Sequence, residues 1–373
     1  MDGVSSSGSA YSRRCVMLMA PIRSSIFRRP AITILLPRLW SAFFLQKLCF
    51  LVGLGFCAFS YATPANTSDI AKGSIPARTE LHTFQSLTIS DADFLKGKDA
   101  GTPVTVAGEF KVAQGTGRMP VVVMVHGSSG IGPNTEVWAR QFNQMGVSAF
   151  ILDGFTGRGL TVVGPDQSQL GRLNLSLDAY RALDVLARHP RVDPKRIVLM
   201  GFSRGGQATL YASEKRFLKA WNRSGLEFAA YLPFYPDCHT VYQNDTDVAD
   251  RPIRIFHGSA DDYNPVPPCK AFVERLRATG HDVELIEYAG AQHSFDSPLG
   301  STTPTVSKNA QTVRNCRIRE EPVGNLINAT SGAPFTYADP CVERDPHVGY
   351  DPNASDAAHR YIGDFLAALF GLK

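Results

Sequence analysis

The sequence predicts an α/β protein built on a mostly parallel sheet of about eight strands, flanked by helices. Three observations carry that expectation. Short apolar, β-branched runs recur along the chain, the mark of strands buried on both faces. Stretches with apolar residues at helical spacing fall between them, and strand–helix alternation of this kind builds a parallel sheet covered on both sides. The composition, 44% apolar and 19% charged over 373 residues, is that of a folded globular chain with ample material for a large core.

The strands read in order. Phe84–Ile89 and Val104–Lys111 come first and look more exposed. Val121–Val125 is a continuous run of Val and Met, followed by Ser148–Leu152, Arg196–Met200, Phe228–Leu232, Ile253–Phe256 and Val283–Ile286. Among the helices, Leu177, Tyr180, Leu183 and Leu186 lie on one face behind Ser176 as a cap, and His189-Pro190 stops that helix. The last helix carries Ala358, Tyr361, Ile362, Phe365, Leu366 and Leu369 on one face, with Gly371 after it. Residues 297–352, rich in Pro, Gly, Thr and Asn, fit neither pattern. So long a stretch inside a compact domain reads as an insertion before the last helix. The organisation expected is a leader over 1–62, a linker over 63–80 and one domain over 81–373.

The leader holds the basic excess. The chain carries 38 Lys and Arg against 34 Asp and Glu. Residues 1–62 contain seven of the former and one of the latter, leaving 31 basic against 33 acidic residues, a net of −2. Nothing in the remainder suggests a polyanion-binding surface, so nucleic acid is not an expected partner. The uncharged run Leu48 to Ala62 ends Ser60-Tyr61-Ala62, with small residues where a signal peptidase reads. A run of 15 is shorter than the roughly 20 residues that span a bilayer, which favours a cleaved export signal and no stable membrane association. An anchor stays open because Ile32–Phe44 is also apolar, and so does a start of translation downstream of Met1. The expected location is periplasmic or extracellular.

Four cysteines follow the leader, Cys238, Cys269, Cys316 and Cys341. An even number in an exported chain points to disulfides, with Cys238–Cys269 and Cys316–Cys341 the favoured pairing because each pair is local. A zinc site is the rival reading, but no C-x-x-C spacing exists.

The chemistry centres on Gly201-Phe202-Ser203-Arg204-Gly205-Gly206, set between the strand Arg196–Met200 and a helix with Ala208, Leu210 and Tyr211. A strand that turns sharply into a helix lifts a serine hydroxyl out of the sheet, and glycines leave room for the backbone to close. This G-x-S-x-G elbow marks the α/β-hydrolase fold. Serine needs a base, and the base needs an orienting acid. Asp261, after Ile253–Phe256, is the chosen acid, with Asp262 in reserve. His293, after Val283–Ile286, is the chosen base. All three residues fall at strand ends in the chain order Ser, Asp, His that this fold uses. The N–H of Arg204 and that of Ser128, or alternatively Gly127, would form the oxyanion hole. His126 reads as a loop organiser.

These motifs resemble the dienelactone hydrolase family: the Val121–Val125 strand with His126-Gly127, the elbow, the Gly258–Asp261 turn with Pro265, and Gly290–Phe295. Two departures stand out, since classical members carry Cys in the elbow and are cytoplasmic. The family holds its substrate's carboxylate through arginine. By that resemblance Arg158, in Gly154-Phe155-Thr156-Gly157-Arg158-Gly159, is a substrate clamp or else a loop-organising residue. The expected reaction is two-step hydrolysis of a carboxylic ester or lactone, a small molecule, through an acyl-Ser203 intermediate with no cofactor and no metal. An acyltransferase with the same triad and a catalytically silent binding protein are the alternatives. The insertion begins just after His293, so it is expected to be stapled by Cys316–Cys341 and to cover part of the site.

Overall fold

The computed structural model describes residues 75–322 and 324–372, all in one compact unit. The expected leader, its apolar run and most of the linker lie outside the described residues.

Nine of the strands, in chain order, are β1 (Arg78–Thr88), β2 (Thr102–Val112), β3 (Met119–Val125), β4 (Ser148–Asp153), β5 (Val192–Phe202), β6 (Tyr231–Phe234), β7 (Thr240–Val241), β8 (Ile253–Gly258) and β9 (Val283–Tyr288). Eight of them form one sheet in the order β1-β2-β4-β3-β5-β6-β8-β9. β2 runs antiparallel to both its neighbours, and the pairings from β4 to β9 are parallel. The expected fold class is therefore the observed one. β3 lies between β4 and β5, so the chain leaves it in opposite directions on its two sides. A crevice opens at the carboxyl ends of strands around such a reversal, which is where open α/β sheets bind ligands.

The central strands show why a continuous apolar run means a doubly covered sheet. Val121, Val123 and Val125 join one core with Leu177, Tyr180 and Leu183. The intervening Val122 and Met124 join another with Trp138, Phe142 and Ile362. Successive side chains point to opposite faces, so every one of the five is removed from water. Burial of each Val or Met contributes roughly 1.5–3 kcal/mol relative to exposure. The helices on the first face are α3 to α6 and on the second α2 and α7, after a short α1 (Asp91–Leu95) near the start. Their ranges are α2 Asn134–Gln144, α3 Asn174–Ala187, α4 Arg204–Tyr211, α5 Lys215–Trp221, α6 Val266–Ala278 and α7 Pro352–Phe370.

Several boundaries differ from those the sequence predicts, each for a tertiary reason. β1 starts at Arg78 because β2 pairs with it along its whole length. Its exposed residues alternate with Glu80 and His82, and one Glu80 oxygen lies 2.7 Å from the His82 ring and 3.1 Å from that of His189. β6 begins at Tyr231, three residues later than expected, where the register with β5 settles. Ser176 does not cap α3. The helix starts at Asn174, whose side chain bonds Ile89 N and Leu87 O, and the Ser176 hydroxyl donates to Ala208 O at 2.9 Å. α7 extends back to Pro352, capped by Asp351 through the Ala354 N–H, and ends at Gly371 with φ 61° as expected.

The insertion folds by pairing residues far apart in its own sequence. β10 (Thr305–Val306) pairs with β15 (His347–Val348), and β11 (Gln311–Thr312) with β14 (Glu343–Arg344). β12 (Ile318–Glu320) pairs with β13 (Leu326–Asn328) and, in parallel, with β7 of the domain. Disulfides join Cys316 to Cys341 inside the insertion and Cys238 to Cys269 between the segment after β6 and α6.

Candidate active site

The turn from β5 into α4 places Ser203 at φ 54° and ψ −113°, a backbone conformation that costs an L-residue energy and is tolerated where surrounding structure enforces it. The enforcement is steric. A Cβ at Gly201 would lie 2.1 Å from Gly205 O, and one at Gly205 would lie 2.1 Å from Val125 O. Only glycine permits β3 and the two arms of the turn to approach this closely.

Three carboxyl strand ends then converge. His293 Nε2 lies 2.9 Å from Ser203 Oγ, and His293 Nδ1 lies 2.8 Å from Asp261 Oδ2. The other Asp261 oxygen accepts the N–H groups of Tyr263 and Asn264 at 2.9 and 2.8 Å. His257, fully buried beside it, donates to Asn264 O at 2.6 Å and sits 3.4 Å from Asp261 Oδ2. Burial alone would raise the Asp261 pKa. The charge that His293 carries when protonated and hydrogen bonds from His257 and His293 outweigh it, holding the carboxyl well below the usual range. The acid therefore stays ionised and fixes the ring with Nε2 facing the serine.

Asp262, the reserve acid, points elsewhere. It accepts from the His347 backbone N–H at 2.7 Å and from Arg314 at 3.1 Å, and lies 2.9 Å from the His347 ring. Adjacent acids thus serve different ends, one on the imidazole and one on the insertion.

Ser128 and Arg204, the expected oxyanion donors, border one small pocket together with Ser203. Among the described residues, the N–H groups of Ser128 and Arg204 donate to no other group. Gly127 passes within 3.3 Å of Ser203 Cβ, counted from where its own Cβ would stand. A larger residue would crowd the serine. His126 organises this loop, donating from Nδ1 to Gly127 O at 2.8 Å and accepting the Gly154 N–H at Nε2 at 3.1 Å. Burial lowers its pKa and keeps it neutral, as acceptance at Nε2 requires. The Arg204 side chain turns away to Gln167 and to the carbonyls of Leu170 and Gly171.

Arg158 is not at the site. All five of its N–H donors are engaged, by Asp178 in a two-pronged ion pair and by Thr88, Gly154 and Leu87. Its side chain is 3% exposed. With no donor free it cannot clamp a substrate carboxylate, and it locks the loop after β4 to α3 instead. The clamp reading is corrected accordingly.

Above Ser203 lies a cavity of about 380 Å³, lined by Gly, Ser and Thr of the 127–135 segment, by Tyr235, Tyr263 and His293, and by the insertion. Lys308 is its single formally charged side chain. The insertion supplies one wall and is fixed there. Gln311 accepts the Gln167 N–H, Thr312 donates to Tyr263 O, and the Gly349 N–H donates to His293 O at 3.0 Å.

Three residues around the histidine escaped the sequence reading. The Tyr263 ring stacks on His293 with centroids 4.6 Å apart, and Tyr235 meets it edge-on at 4.7 Å. Burial pushes the Tyr263 hydroxyl up to about 12, so the ring stays neutral. Asp296 is buried and accepts from Tyr235 Oη at 2.6 Å, Trp138 Nε1 at 2.9 Å and Asn134 Nδ2 at 3.1 Å. Their positions held a signal: Tyr235 follows a strand end, and Tyr263 and Asp296 follow triad candidates within three residues.

The sequence model of the dienelactone hydrolase family matches residues 107–317. A Yersinia pestis protein named, by inference, a carboxymethylenebutenolidase is 26% identical over 206 residues, covering 50% of this chain and 72% of its own. Among solved structures, a dienelactone hydrolase-like promiscuous phosphotriesterase from metagenomic libraries is 17% identical with a TM-score of 0.48. That match covers 78% of this chain and 98% of the other. A thermophilic esterase of Thermogutta terrifontis with butyrate bound is 19% identical with a TM-score of 0.43, covering 51% and 80%.

Proposed function

The chain belongs to the dienelactone hydrolase family, carboxylic ester hydrolases, and from that premise we propose that it cleaves esters or lactones through an acyl-Ser203 intermediate. The observation that carries this is the continuous relay from Ser203 Oγ to His293 at 2.9 Å and on to a buried, ionised Asp261 at 2.8 Å. His293 Nε2 takes the hydroxyl proton as Oγ attacks the carbonyl carbon. The negative charge that moves onto the carbonyl oxygen meets the Ser128 and Arg204 N–H groups, preorganised where charge develops. Collapse breaks the bond to the alkoxy oxygen, which receives the proton from His293. Water then gives its proton to the same nitrogen, attacks the acyl carbon and releases the acid with Ser203 restored. Asp261 holds the ring and stabilises the imidazolium without being protonated itself.

The cavity walls offer no guanidinium, and with Arg158 committed elsewhere Lys308 is the one cation that a substrate carboxylate could meet there. Export is the location in keeping with two disulfides, which persist in oxidising compartments. Among the described residues, no helix is long and apolar enough to cross a membrane.

The test is Ser203→Ala with a simple ester and a fluorophosphonate probe. Loss of a triad nucleophile costs roughly 10⁶-fold in rate. We expect turnover and labelling both to vanish while the circular dichroism spectrum and melting temperature are retained. A variant that keeps half its activity moves the nucleophile away from Ser203.

A further inference from the structure

We propose that the acyl group of the substrate enters a second, smaller pocket beside Ser203, so that the enzyme takes acetyl and propionyl esters of bulky alcohols. This rests on the ester hydrolase reading above and names the substrate class within it.

Two cavities border Ser203. The larger is the one of about 380 Å³, and His293 lines it. The smaller measures about 30 Å³ and is bordered by Ser203, Ser128 and Arg204 but not by His293. The path of the proton decides which part of the ester goes where. His293 Nε2 gives its proton to the alkoxy oxygen, so the alcohol leaves on the histidine side, into the larger cavity. The carbonyl oxygen turns to the N–H groups of Ser128 and Arg204. The bond to Ser203 Oγ takes a third position on the tetrahedral carbon, and the acyl chain takes the last. The open space left for it beside Ser203 is the smaller pocket.

Size limits what that pocket accepts. A water-sized group needs roughly 10–15 Å³ of such space, so 30 Å³ holds about two heavy atoms. The methyl of an acetyl group or the ethyl of a propionyl group fits, and a longer chain does not. The walls are also braced against widening. Gln207 donates to Asp237 at 3.0 Å, Thr312 to the Tyr263 carbonyl at 2.6 Å and Gln311 to the Tyr337 carbonyl at 3.3 Å. All of these residues border the pocket, and all but Tyr337 are buried. Gln311, Thr312, Val313 and Tyr337 belong to the insertion. The insertion therefore closes the acyl side of the serine as well as walling the alcohol side.

The test measures kcat/KM on p-nitrophenyl acetate, propionate, butyrate and octanoate, and on the acetate of 4-methylumbelliferone, a larger alcohol. Forcing a chain into a filled, well-packed site costs about tenfold or more in rate. We expect a fall of that size from propionate to butyrate, a further fall to octanoate, and similar values for the two acetates. Gln207→Ala and Val313→Ala each take atoms out of the pocket wall, and Asp237 keeps Arg172 and the His239 N–H in the first. Each variant that retains a cooperative melt should raise the ratio of butyrate to acetate about tenfold, the scale of the packing penalty relieved. A profile flat from acetate to octanoate, with Ser203 labelled by fluorophosphonate, overturns the acyl pocket and leaves the hydrolase reading standing. So does a steep profile that neither variant relaxes, or an umbelliferyl acetate rejected as strongly as the octanoate. Hydrolysis of none of the esters, with Ser203 unlabelled, sinks that reading and the acyl pocket with it.

Discussion

Asp261 and Asp262 are neighbours with the same side chain, yet their surroundings assign them opposite work. Asp261 is buried and receives His293 together with two backbone N–H groups. Asp262 is partly exposed and receives Arg314 and His347. Replacing Asp261 by Asn should therefore cost about 10⁴-fold in kcat, because an amide can no longer select the tautomer with Nε2 facing Ser203. Asp262→Asn should leave kcat within a few-fold and act through the wall that His347 and Arg314 belong to. Steady-state kinetics on one simple ester decides between them, and the reverse ranking would move the acid to Asp262. The sequence placed both acids correctly at a strand end, but it could not say which carboxylate turns inward. That depends on the backbone N–H groups of Tyr263 and Asn264, which only the folded turn presents. Arg158 shows the same limit from the other side. The family resemblance left it a clamp or a loop organiser, while its partner, Asp178, lies twenty residues on in α3.

At the scale of elements, legibility followed burial. Strands buried on both faces announce themselves, because no position in Val121–Val125 can be polar without facing a core. β1 was legible only in part, since one of its faces meets water and its partner β2 sets its length. The strands of the insertion carry no periodic signal at all, being two or three residues each, with β10 and β11 paired across tens of positions. Only its cysteines could be read. An element junction also carries an ionisable group that periodicity hides. Glu214 immediately precedes α5, is buried, and has one oxygen without a partner. Burial, with Asp245 and Glu320 nearby and Arg216 only partly offsetting them, raises its pKa well above 4.5. The sign follows from proton linkage. Below about pH 4.5 the folded and unfolded chains both carry the proton, and Glu214 has no pH-dependent effect. As pH rises above that value the unfolded chain ionises first, so stability falls until the folded pKa is passed. Glu214→Gln removes this loss. Thermal melts should show the variant gaining on wild type between pH 4 and pH 8, and a gap that stays constant across that range would mean Glu214 is ionised in the fold.

At the scale of the whole molecule, the insertion converts a general hydrolase crevice into a walled site. It is tied to the domain by Arg216–Glu320, by Arg314 and His347 on Asp262, and by the pairing of β12 with β7. Its inner ends carry Gly349 against His293 O and Thr312 against Tyr263 O, so the wall and the histidine share a support. The Cys316–Cys341 bridge closes a segment of 25 residues beside a small core of Val313, Cys316 and Ile318. A loop of that size contributes about 3 to 4 kcal/mol by restricting the unfolded chain. The double variant Cys316→Ser with Cys341→Ser removes that restraint while leaving every residue around Ser203 in place. We expect a lower melting temperature and a marked change in relative kcat/KM across short and long acyl esters, because the wall carrying Thr305, Ser307 and Gly349 loses its fixed position. Peptide mapping of the unreduced wild type should recover residues 316 and 341 as one cross-linked species, and recovery as free thiols would remove the staple. If the bridge is present and its loss lowers stability but leaves the chain-length profile unchanged, the ion pairs and strand pairings alone hold the wall, and the disulfide stabilises the fold without shaping selectivity.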